Sequence, residues 1–437
     1  KRVLPRVNED INEEWISDKT RYACDGLLYQ RLDTPYIKYN KKFEKASWEE
    51  VFKIIKSKIE NTNKDKISGF IGDLTNMETS FIFKEFFDRT LGSNKYESRS
   101  TQSFIDSSVR ENYLFNSTIN GIEETDLILL IGTNPRFEAT MINARIRKAY
   151  LNNNTKIFSL NDVGDLTYPY KCLDGKTQTI KDIIDGKNDI SKHIIHAKKP
   201  MIILGESFLN IRSANYLFHS LKNFLFKNNK FTDQWNPLNI LSTDAATVGN
   251  LDLDIINKED NLIKDLNDNK FELVYLLGQD NLIFNKTSEF VIYQGSHGDK
   301  GAEIADLILP GAAYTEQSAH FTNLEGKMQK AFKASYPPGE AKEDWQIINE
   351  LAEMINNRKL FNDKDELESS MLNFLNLKKE KQKSGLIKEI NQNDFESETL
   401  KIKVKNYYFS NVIARSSKTM LNCHNSKLSI KPTGTEG

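Results

Sequence analysis

Short apolar runs that alternate with longer amphipathic stretches dominate the first three hundred residues. Runs that are apolar on both faces are typical of parallel strands covered by helices on both sides. The runs that predict strands cover residues 67–71, 126–131, 156–160, 201–204, 273–277 and 290–294. The glycines that directly follow such strands include Gly72, Gly132, Gly205 and Gly278, which begin four strand-end loops.

Helical periodicity fills the segments between the strands. Ser47 stands three positions before Glu50, which is the spacing of a capping box, and an apolar face follows it. A helix rich in phenylalanine follows the first predicted strand, around residues 81–87. Further helices are predicted at about 105–114, 137–151, 179–196, 207–226 and 344–356.

This alternation predicts an α/β protein with two doubly wound, mostly parallel-sheet units and a charged, helical C-terminal region. We place the first unit at residues 46–165 and the second at 166–300. Residues 301–360 are predicted to return to the first unit. Residues 1–45 form a separate polar, turn-rich segment, and 361–437 form a charged helical extension and tail.

The composition excludes several classes of function. The 437 residues include 60 Lys and Arg against 61 Asp and Glu, so the chain lacks the basic excess of a nucleic-acid or anionic-membrane binder. No apolar run approaches the roughly 18–20 residues of a membrane span. The three cysteines, Cys24, Cys172 and Cys423, are too widely separated for a local metal or cluster motif.

The loop from Gly132 to Arg136 is the first candidate site, because ligands of open α/β sheets bind at the carboxyl ends of strands. In one interpretation it contacts a phosphate or a dinucleotide, with Arg136 as the anion partner. In the other, which we favour, it is a strand-to-helix turn in which Pro135 stands near the first helical position. None of the four glycine loops reads as G-x-G-x-x-G or as a P-loop.

Histidines offer the remaining candidates. His297 lies in a glycine-rich loop at residues 293–301, where it is either a general base or a hydrogen-bonded polar residue. We favour the second, because no carboxylate and nucleophile stand at a spacing that predicts catalysis. His193 and His196 are three residues apart on a predicted helix, and without a third ligand we expect them to be surface residues.

Several longer stretches, taken in order, carry a resemblance to one family. They are residues 4–21, 121–126 (GIEETD), 132–139 (GTNPRFEA), 143–148 (NARIRK), 165–168 (DLTY), 293–299 (YQGSHGD), 305–316 (ADLILPGAAYTE) and 323–326 (NLEG). Together they resemble the large iron–sulfur subunit of respiratory complex I (NADH:ubiquinone oxidoreductase) in its mitochondrial form. The resemblance lies in the C-terminal portion of that subunit, which is similar to the molybdopterin oxidoreductases of the formate dehydrogenase type.

The resemblance implies that this chain carries no redox centre and no catalytic residue of its own. Residues 1–45 would be the remnant of the domain that follows the cluster ligands, and the iron–sulfur clusters would lie on the N-terminal half or on a partner chain. Some bacterial relatives hold an extra cluster whose last cysteine falls where this chain has Ser17, and a serine does not replace a thiolate there. The loop residues Gly132, Asn134, Pro135 and Arg136 would be an inherited, vestigial pterin-binding turn.

The implied role is a non-catalytic structural subunit, or split half-subunit, in the matrix-side arm of complex I. It would support electron transfer from NADH to ubiquinone and lie peripherally on the mitochondrial inner membrane, or on the cytoplasmic side in a bacterium. Its partners would be the cluster-bearing half, the flavoprotein and other subunits of the hydrophilic arm, with no nucleic acid and no membrane insertion. Two alternatives remain: an active molybdenum or tungsten pterin oxidoreductase subunit, and a free nucleotide-dependent α/β enzyme.

Overall fold

The computed structural model describes residues 2–258, 261–381, 391 and 394–429. It confirms the predicted fold class, since helices cover two sheets whose strands are mostly parallel. The strands are β1 (Tyr36–Tyr39), β2 (Lys42–Lys45), β3 (Ile67–Ile71), β4 (Tyr96–Glu97), β5 (Leu127–Ile131), β6 (Lys156–Ser159), β7 (Lys171–Cys172), β8 (Pro200–Gly205), β9 (Leu238–Leu241), β10 (Leu273–Leu277), β11 (Phe290–Gly295), β12 (Leu307–Pro310), β13 (Ala319–Thr322) and β14 (Met328–Ala331).

Helices pack on both faces of these sheets and continue into the C-terminal region. They are α1 (Asp18–Tyr22), α2 (Trp48–Glu60), α3 (Met77–Glu85), α4 (Pro135–Glu138), α5 (Thr140–Asn153), α6 (Thr177–Ile184), α7 (Asp189–His196), α8 (Glu206–Leu209), α9 (Ala214–Lys227), α10 (Thr247–Asp252), α11 (Leu262–Asn267), α12 (Lys300–Ile304), α13 (Asp344–Asn356), α14 (Lys364–Lys381), α15 (Val412–Ser416) and α16 (Lys418–Ser429). The predicted cap of α2 is present, because the Ser47 hydroxyl accepts a hydrogen bond from the Glu50 backbone N–H at 3.2 Å.

The larger sheet has the strand order β2-β1-β12-β11-β10-β3-β4. Its central strands run parallel, whereas β1 pairs antiparallel with both β2 and β12 and so forms a hairpin at one edge. The smaller sheet has the order β7-β6-β5-β8-β9 and is parallel throughout. The direction of winding reverses between β5 and β8, which makes this point the topological switch of a doubly wound sheet.

The sheets group the strands differently from the units predicted from the sequence. Strands β5 and β6 precede residue 165 but belong to the smaller sheet, and β10 and β11 precede residue 300 but belong to the larger one. The smaller unit is therefore an insertion between β4 and β10, and the predicted boundary at residues 165 and 166 falls inside it. Strand pairing between residues distant in sequence determines this grouping, and a local apolar pattern does not report it.

The predicted helix at residues 105–114 is wrong. The described structure has only a short turn of 3₁₀ helix at Arg110–Asn112 in this segment. Asp106 explains the difference, because its carboxylate accepts hydrogen bonds from the backbone N–H of Ser108 and the amide of Asn112. Side chains of this type compete with the helical hydrogen bonds of the backbone.

The C-terminal region crosses the molecule from one sheet to the other. Its residue Leu400 is buried in the core of the smaller unit, and its backbone N–H donates to the Gly175 carbonyl. Further along, Arg415 Nε lies 2.6 Å from an oxygen of Asp299, which follows the larger sheet's strand β11. We call residues 394–416 the strap. Within the predicted extension at 361–437, the structure has the helices α14 and α16 on either side of the strap. Residues 382–390, 392–393 and 430–437 of this extension lie outside the described residues.

Candidate functional site: an acidic crevice at the strand ends

The crevice between the ends of β5 and β8 is where a doubly wound sheet binds its ligands. Two glycines let the strand ends approach each other here. A Cβ added to Gly205 would lie 2.5 Å from the Gly132 carbonyl oxygen, and one added to Gly132 would lie 2.4 Å from the Phe208 backbone nitrogen. Gly132 also has a φ of +69°, which a residue with a side chain rarely adopts.

The loop after Gly132 forms a strand-to-helix turn. Pro135 is the first residue of α4, where its missing N–H leaves no hydrogen bond unmade. Asn134 donates its side-chain amide to the Val163 carbonyl at 2.9 Å. Arg136 Nη1 lies 2.6 Å from a carboxylate oxygen of Asp165, and both side chains are substantially exposed. Arg136 is thus engaged at the surface by a carboxylate of this chain.

Glu138 uses the polar hydrogens that this turn offers. One of its carboxylate oxygens accepts from the Thr133 hydroxyl and from the Asn134 backbone N–H, each at 2.6 Å. Burial raises the pKa of Glu138, although these two hydrogen bonds oppose the rise. The turn therefore already holds a carboxyl group of the protein where an external anion would otherwise bind.

Acidic side chains from both sheets surround Glu138. Asp73 follows β3 of the larger sheet, Glu206 follows β8, and Asp244 lies three residues after β9. Thr243 donates to Glu206 from its backbone N–H at 3.0 Å and from its hydroxyl. These groups line one cavity of about 160 Å³ together with three lysines, so its charged residues are Asp73, Glu138, Glu206, Asp244, Lys19, Lys403 and Lys405.

The electrostatics of the crevice favour protonated carboxyl groups. Burial and the nearby Asp244 raise the pKa of Asp73 to about 7. Burial and the same aspartate also raise the pKa of Glu206. Burial lowers the pKa of Lys405, but the carboxylates around it outweigh this effect and raise it overall. Lys405 is therefore a cation that holds an acidic cluster together.

The strap brings Lys405 into the crevice. The Lys403 backbone N–H donates to the Ser207 hydroxyl at 2.9 Å, and the Lys405 ammonium donates to an Asp244 carboxylate oxygen. At the border of the same cavity, Lys19 donates to the Ser410 hydroxyl at 3.1 Å. The strap thus occupies space at the strand ends of both sheets.

The histidine candidates lie elsewhere. His297 is fully buried, and its two ring nitrogens lie 2.8 Å from the Ser296 hydroxyl and 3.0 Å from the Gly26 carbonyl oxygen. Burial lowers the pKa of His297 to about 4, which keeps the imidazole neutral. It is a hydrogen-bonded core residue, as favoured from the sequence. His193 and His196 are exposed on α7, as expected.

Ser17 lies in the N-terminal segment, two residues before the crevice residue Lys19. Its hydroxyl caps α1 by accepting from the Thr20 backbone N–H at 3.1 Å. It borders an open groove of about 520 Å³, which the N-terminal segment and the residues Phe137, Phe321 and Leu324 line. Three apolar residues of this segment, Leu4, Val7 and Trp15, are 63%, 67% and 57% exposed.

A family comparison agrees with this architecture. The molybdopterin oxidoreductase family matches residues 31–354, which include both sheets and the four acidic residues of the crevice, so the chain belongs to this family. Two narrower matches flank that region. Residues 1–25 match the NADH-ubiquinone oxidoreductase NDSU1/NuoG-like 4Fe-4S domain, and residues 367–423 match the C-terminal part of the same NuoG-type component of NADH-ubiquinone oxidoreductase.

The relatives confirm the resemblance drawn from the motifs. The NADH-ubiquinone oxidoreductase 75 kDa subunit of Reclinomonas americana is 38% identical over 97% of this chain and 64% of its own length. The corresponding NADH-quinone oxidoreductase subunit of Rickettsia bellii is 38% identical over 99% of this chain and 63% of its own. The mitochondrial NADH-ubiquinone oxidoreductase 78 kDa subunit of Candida albicans is 39% identical over 97% of this chain and 60% of its own length. The chain thus spans about three fifths of the length of these relatives.

One solved structure shares the fold. It is a chain of the formyltransferase/hydrolase complex of Methylorubrum extorquens, crystallised with methylofuran. The TM-score is 0.51 at 12% sequence identity, over 74% of this chain and 99% of that one. At this identity the likeness concerns the arrangement of helices and strands alone.

The crevice does not fit the phosphate-bearing pterin that the family name implies. A phosphate is recognised by cationic side chains and free backbone N–H groups. Here four carboxyl groups outnumber three lysines, and the donors of the Gly132 turn are bound to Glu138.

Sequence reasoning identified the turn but not the groups that fill it. Glu138 was recognisable only as an acidic residue in the first turn of a helix, where it favours the helix dipole. Lys405 lies more than 150 positions from its partner Asp244, and no local pattern connects them. The carboxylates Asp73 and Glu206 immediately follow apolar runs, which was a usable signal, because strand ends of parallel sheets meet at one edge.

Proposed function

We propose that this chain is the non-catalytic, pterin-free part of the large iron–sulfur subunit of complex I, and serves as a scaffold for electron transfer from NADH to a quinone. The observation that carries the proposal is the Glu138 carboxylate, which occupies the anion-binding donors of the Gly132 turn. Lys405 on the strap supports it, because it fills the crevice with a group of the chain itself.

In this proposal the N-terminal groove binds the cluster-bearing polypeptide. The groove borders the segment that matches a 4Fe-4S domain, and that segment exposes Leu4, Val7 and Trp15. Exposed apolar residues grouped beside a concave surface are typical of a protein interface. Ser17 stands in this segment, where the resemblance implies a lost ligand position, and its hydroxyl serves as a helix cap.

The scaffold would lie peripherally on a membrane complex, on the matrix side in a mitochondrion. In the part of the chain that the structure describes, no helix has the length and apolar character to cross a membrane. The flavoprotein and other subunits of the hydrophilic arm would be its further partners. The scaffold would keep the electron path of the cluster-bearing half shielded from water.

Metal and pterin analysis of the purified full chain tests the absence of a redox centre. We expect iron, molybdenum and tungsten each far below one atom per chain, and no pterin fluorescence after denaturation. Stoichiometric molybdenum or tungsten with a pterin would contradict the proposal and support an active oxidoreductase. Saturable nucleotide binding with thermal stabilisation would instead support the free nucleotide-dependent enzyme.

Association with the complex is tested by native electrophoresis of membranes that carry a tagged chain. We expect the tag to migrate with a large NADH-oxidising complex, and Trp15→Ala to reduce that association because it removes an exposed ring beside the groove. Phe226→Ala is the matched control, since Phe226 is also exposed, at 53%, but lies on α9 of the smaller unit. Migration of the unmodified chain as a free species would contradict the scaffold role.

A further inference from the structure

A histidine between two carboxylates joins three elements outside the crevice. Glu78 belongs to α3, His320 to β13 and Glu368 to α14. One potential ligand atom from each of them lies within 4.8 Å of the other two. Glu78 and His320 are buried, at 1% and 8% exposed, so these groups are fixed in a dry environment.

Glu78 orients the imidazole. One of its carboxylate oxygens lies 2.6 Å from His320 Nδ1, and the other accepts from the His320 backbone N–H at 2.8 Å. With Nδ1 as the donor in this bond, Nε2 carries the lone pair. A carboxylate that holds a histidine in this tautomer is the usual second partner of a metal-binding imidazole.

Glu368 faces the other ring nitrogen. Its Oε1 lies 3.9 Å from His320 Nε2, which is too long for a hydrogen bond. Bonds from a zinc ion to a histidine nitrogen and a carboxylate oxygen are each about 2 Å, and a tetrahedral ion would hold these two atoms roughly 3.4 Å apart. The Glu368 carboxylate therefore needs to move about half an ångström closer to His320 Nε2 to share one ion with it.

Lys330 is the present counterion of Glu368. Its ammonium lies 2.8 Å and 3.0 Å from the two carboxylate oxygens. The Lys330 side chain is 35% exposed, so it can turn towards water without leaving a buried charge. Two carboxylates, Glu78 and Glu368, converge on His320, and the opposite charges of Lys364 and Asp365 lie nearby on α14. The converging carboxylates favour a cation.

We propose that His320 Nε2 and the Glu368 carboxylate bind a divalent transition-metal ion of the Zn²⁺ type, with Glu78 as the residue that positions the imidazole. Water completes the coordination on the side where Lys330 now lies. An imidazole nitrogen in the set favours Zn²⁺ over the hard ions Mg²⁺ and Ca²⁺, which prefer oxygen ligands alone. Bound metal would tie α14 and the β13–β14 hairpin to α3. This inference is independent of the scaffold role.

Calorimetric titration of the full, metal-free chain with ZnCl₂ tests the site. We expect one Zn²⁺ per chain and a rise in the thermal unfolding temperature. His320→Gln and Glu368→Gln should each weaken binding by at least about tenfold, and Glu78→Gln should weaken it by roughly tenfold, as for other positioning carboxylates. Lys330→Met should strengthen binding, because it removes a competing cation without touching a ligand.

Two controls exclude adventitious zinc. The double substitution His193→Gln and His196→Gln removes an exposed histidine pair on α7 and should leave the titration unchanged. Glu49→Gln removes an exposed helical carboxylate that is also paired with a lysine, and should have no effect. If His320→Gln does not fold, the zinc titrations of Glu368→Gln and Lys330→Met test the proposal. Both side chains are partly exposed, so we expect these two variants to fold. Failure of the unmodified chain to bind Zn²⁺, or binding that these two substitutions leave unchanged, would overturn the proposal.

Discussion

Glu138 Oε2 lies 2.6 Å from the backbone nitrogen of Asn134, four residues earlier in the chain. The two residues stand at the carboxyl end of β5, beside the switch point of the smaller sheet. The family to which this chain belongs is named for a pterin, and the Asn134 N–H lies at the crevice where such a ligand would bind. In this chain the N–H donates to a carboxylate of the protein instead. The turn keeps the geometry of an anion site and uses it to bind the protein's own side chain.

Glu138→Ala should destabilise the fold by roughly 1–3 kcal/mol, because it leaves the Thr133 hydroxyl and the Asn134 N–H without their acceptor. Glu138→Gln should cost less, since its amide oxygen still accepts. Urea unfolding of both variants measures the difference. Glu49→Gln, in an exposed ion pair on α2, is the control and should change stability by less than about 0.5 kcal/mol. Equal losses for Ala and Gln would contradict this account.

Gly132→Ala should be far more damaging than Gly186→Ala. Both glycines have positive φ, of +69° and +75°. An added Cβ at Gly132 meets the Phe208 backbone nitrogen at 2.4 Å, whereas one at Gly186 meets nothing within 4 Å. The backbone cost is about 1 kcal/mol for each, so the excess at Gly132 reports the collision. Thermal unfolding of the two variants measures this excess, and similar losses would show that the strand ends do not approach as described.

Asp73→Asn should stabilise the protein more at pH 8 than at pH 4.5. The pKa of Asp73 is about 7 in the folded state, above its ordinary value, because of burial and Asp244. Between pH 4 and 7 the folded state therefore holds a proton that the unfolded state releases, and the free energy of unfolding falls as pH rises. Asparagine does not titrate, so the variant avoids this loss of stability. We expect its free energy of unfolding to exceed that of the unmodified protein by roughly 1–2 kcal/mol at pH 8.

The pH series for this variant needs a matched aspartate. Asp189→Asn serves, since its side chain is 85% exposed on α7. Chemical denaturation at each pH gives the free energy of unfolding for all three proteins. If the gain from Asp73→Asn does not change with pH, the raised pKa of Asp73 is wrong.

Lys405→Met should destabilise the protein at pH 8 by roughly 1 kcal/mol or more, because it leaves Asp244 and its neighbours without their cation. The loss should shrink at pH 5, where the carboxyl groups take up protons instead. Lys405→Arg keeps the charge and should retain most of the stability. Adding Asp244→Asn to Lys405→Met should recover part of the loss, which a double-mutant cycle from denaturation curves would quantify. Strict additivity would contradict the pairing.

Local pattern was sufficient to predict the strands. The run at 67–71 became β3 and the run at 273–277 became β10, because continuous apolar segments are stable only when buried on both faces. Their pairing in one sheet was not predictable, since it joins residues about two hundred positions apart. For the same reason the division at residue 165 differed from the sheets.

The candidate site was predictable as a place and not as a chemical environment. Gly132 and Pro135 marked a turn at a strand end, and the structure has that turn. The charges in the crevice come from residues such as Asp73, Glu206 and Lys405, which belong to three distant segments. The structure is needed to show that these charges lie together, because contacts between distant segments do not produce a local pattern in the sequence.

The insertion of the smaller sheet between β4 and β10 has a consequence for biosynthesis. Strands β5 to β9 are complete once residue 241 has been made, whereas Ile67 must wait for Leu273 before it gains its parallel neighbour. At translation rates of roughly 5–20 residues per second, this wait lasts about 10–40 s. We therefore expect the inner unit to fold first on the ribosome, while the apolar strand β3 has only the two-residue strand β4 beside it. A chaperone that shields this strand during the wait would protect the chain better than one that acts after its release.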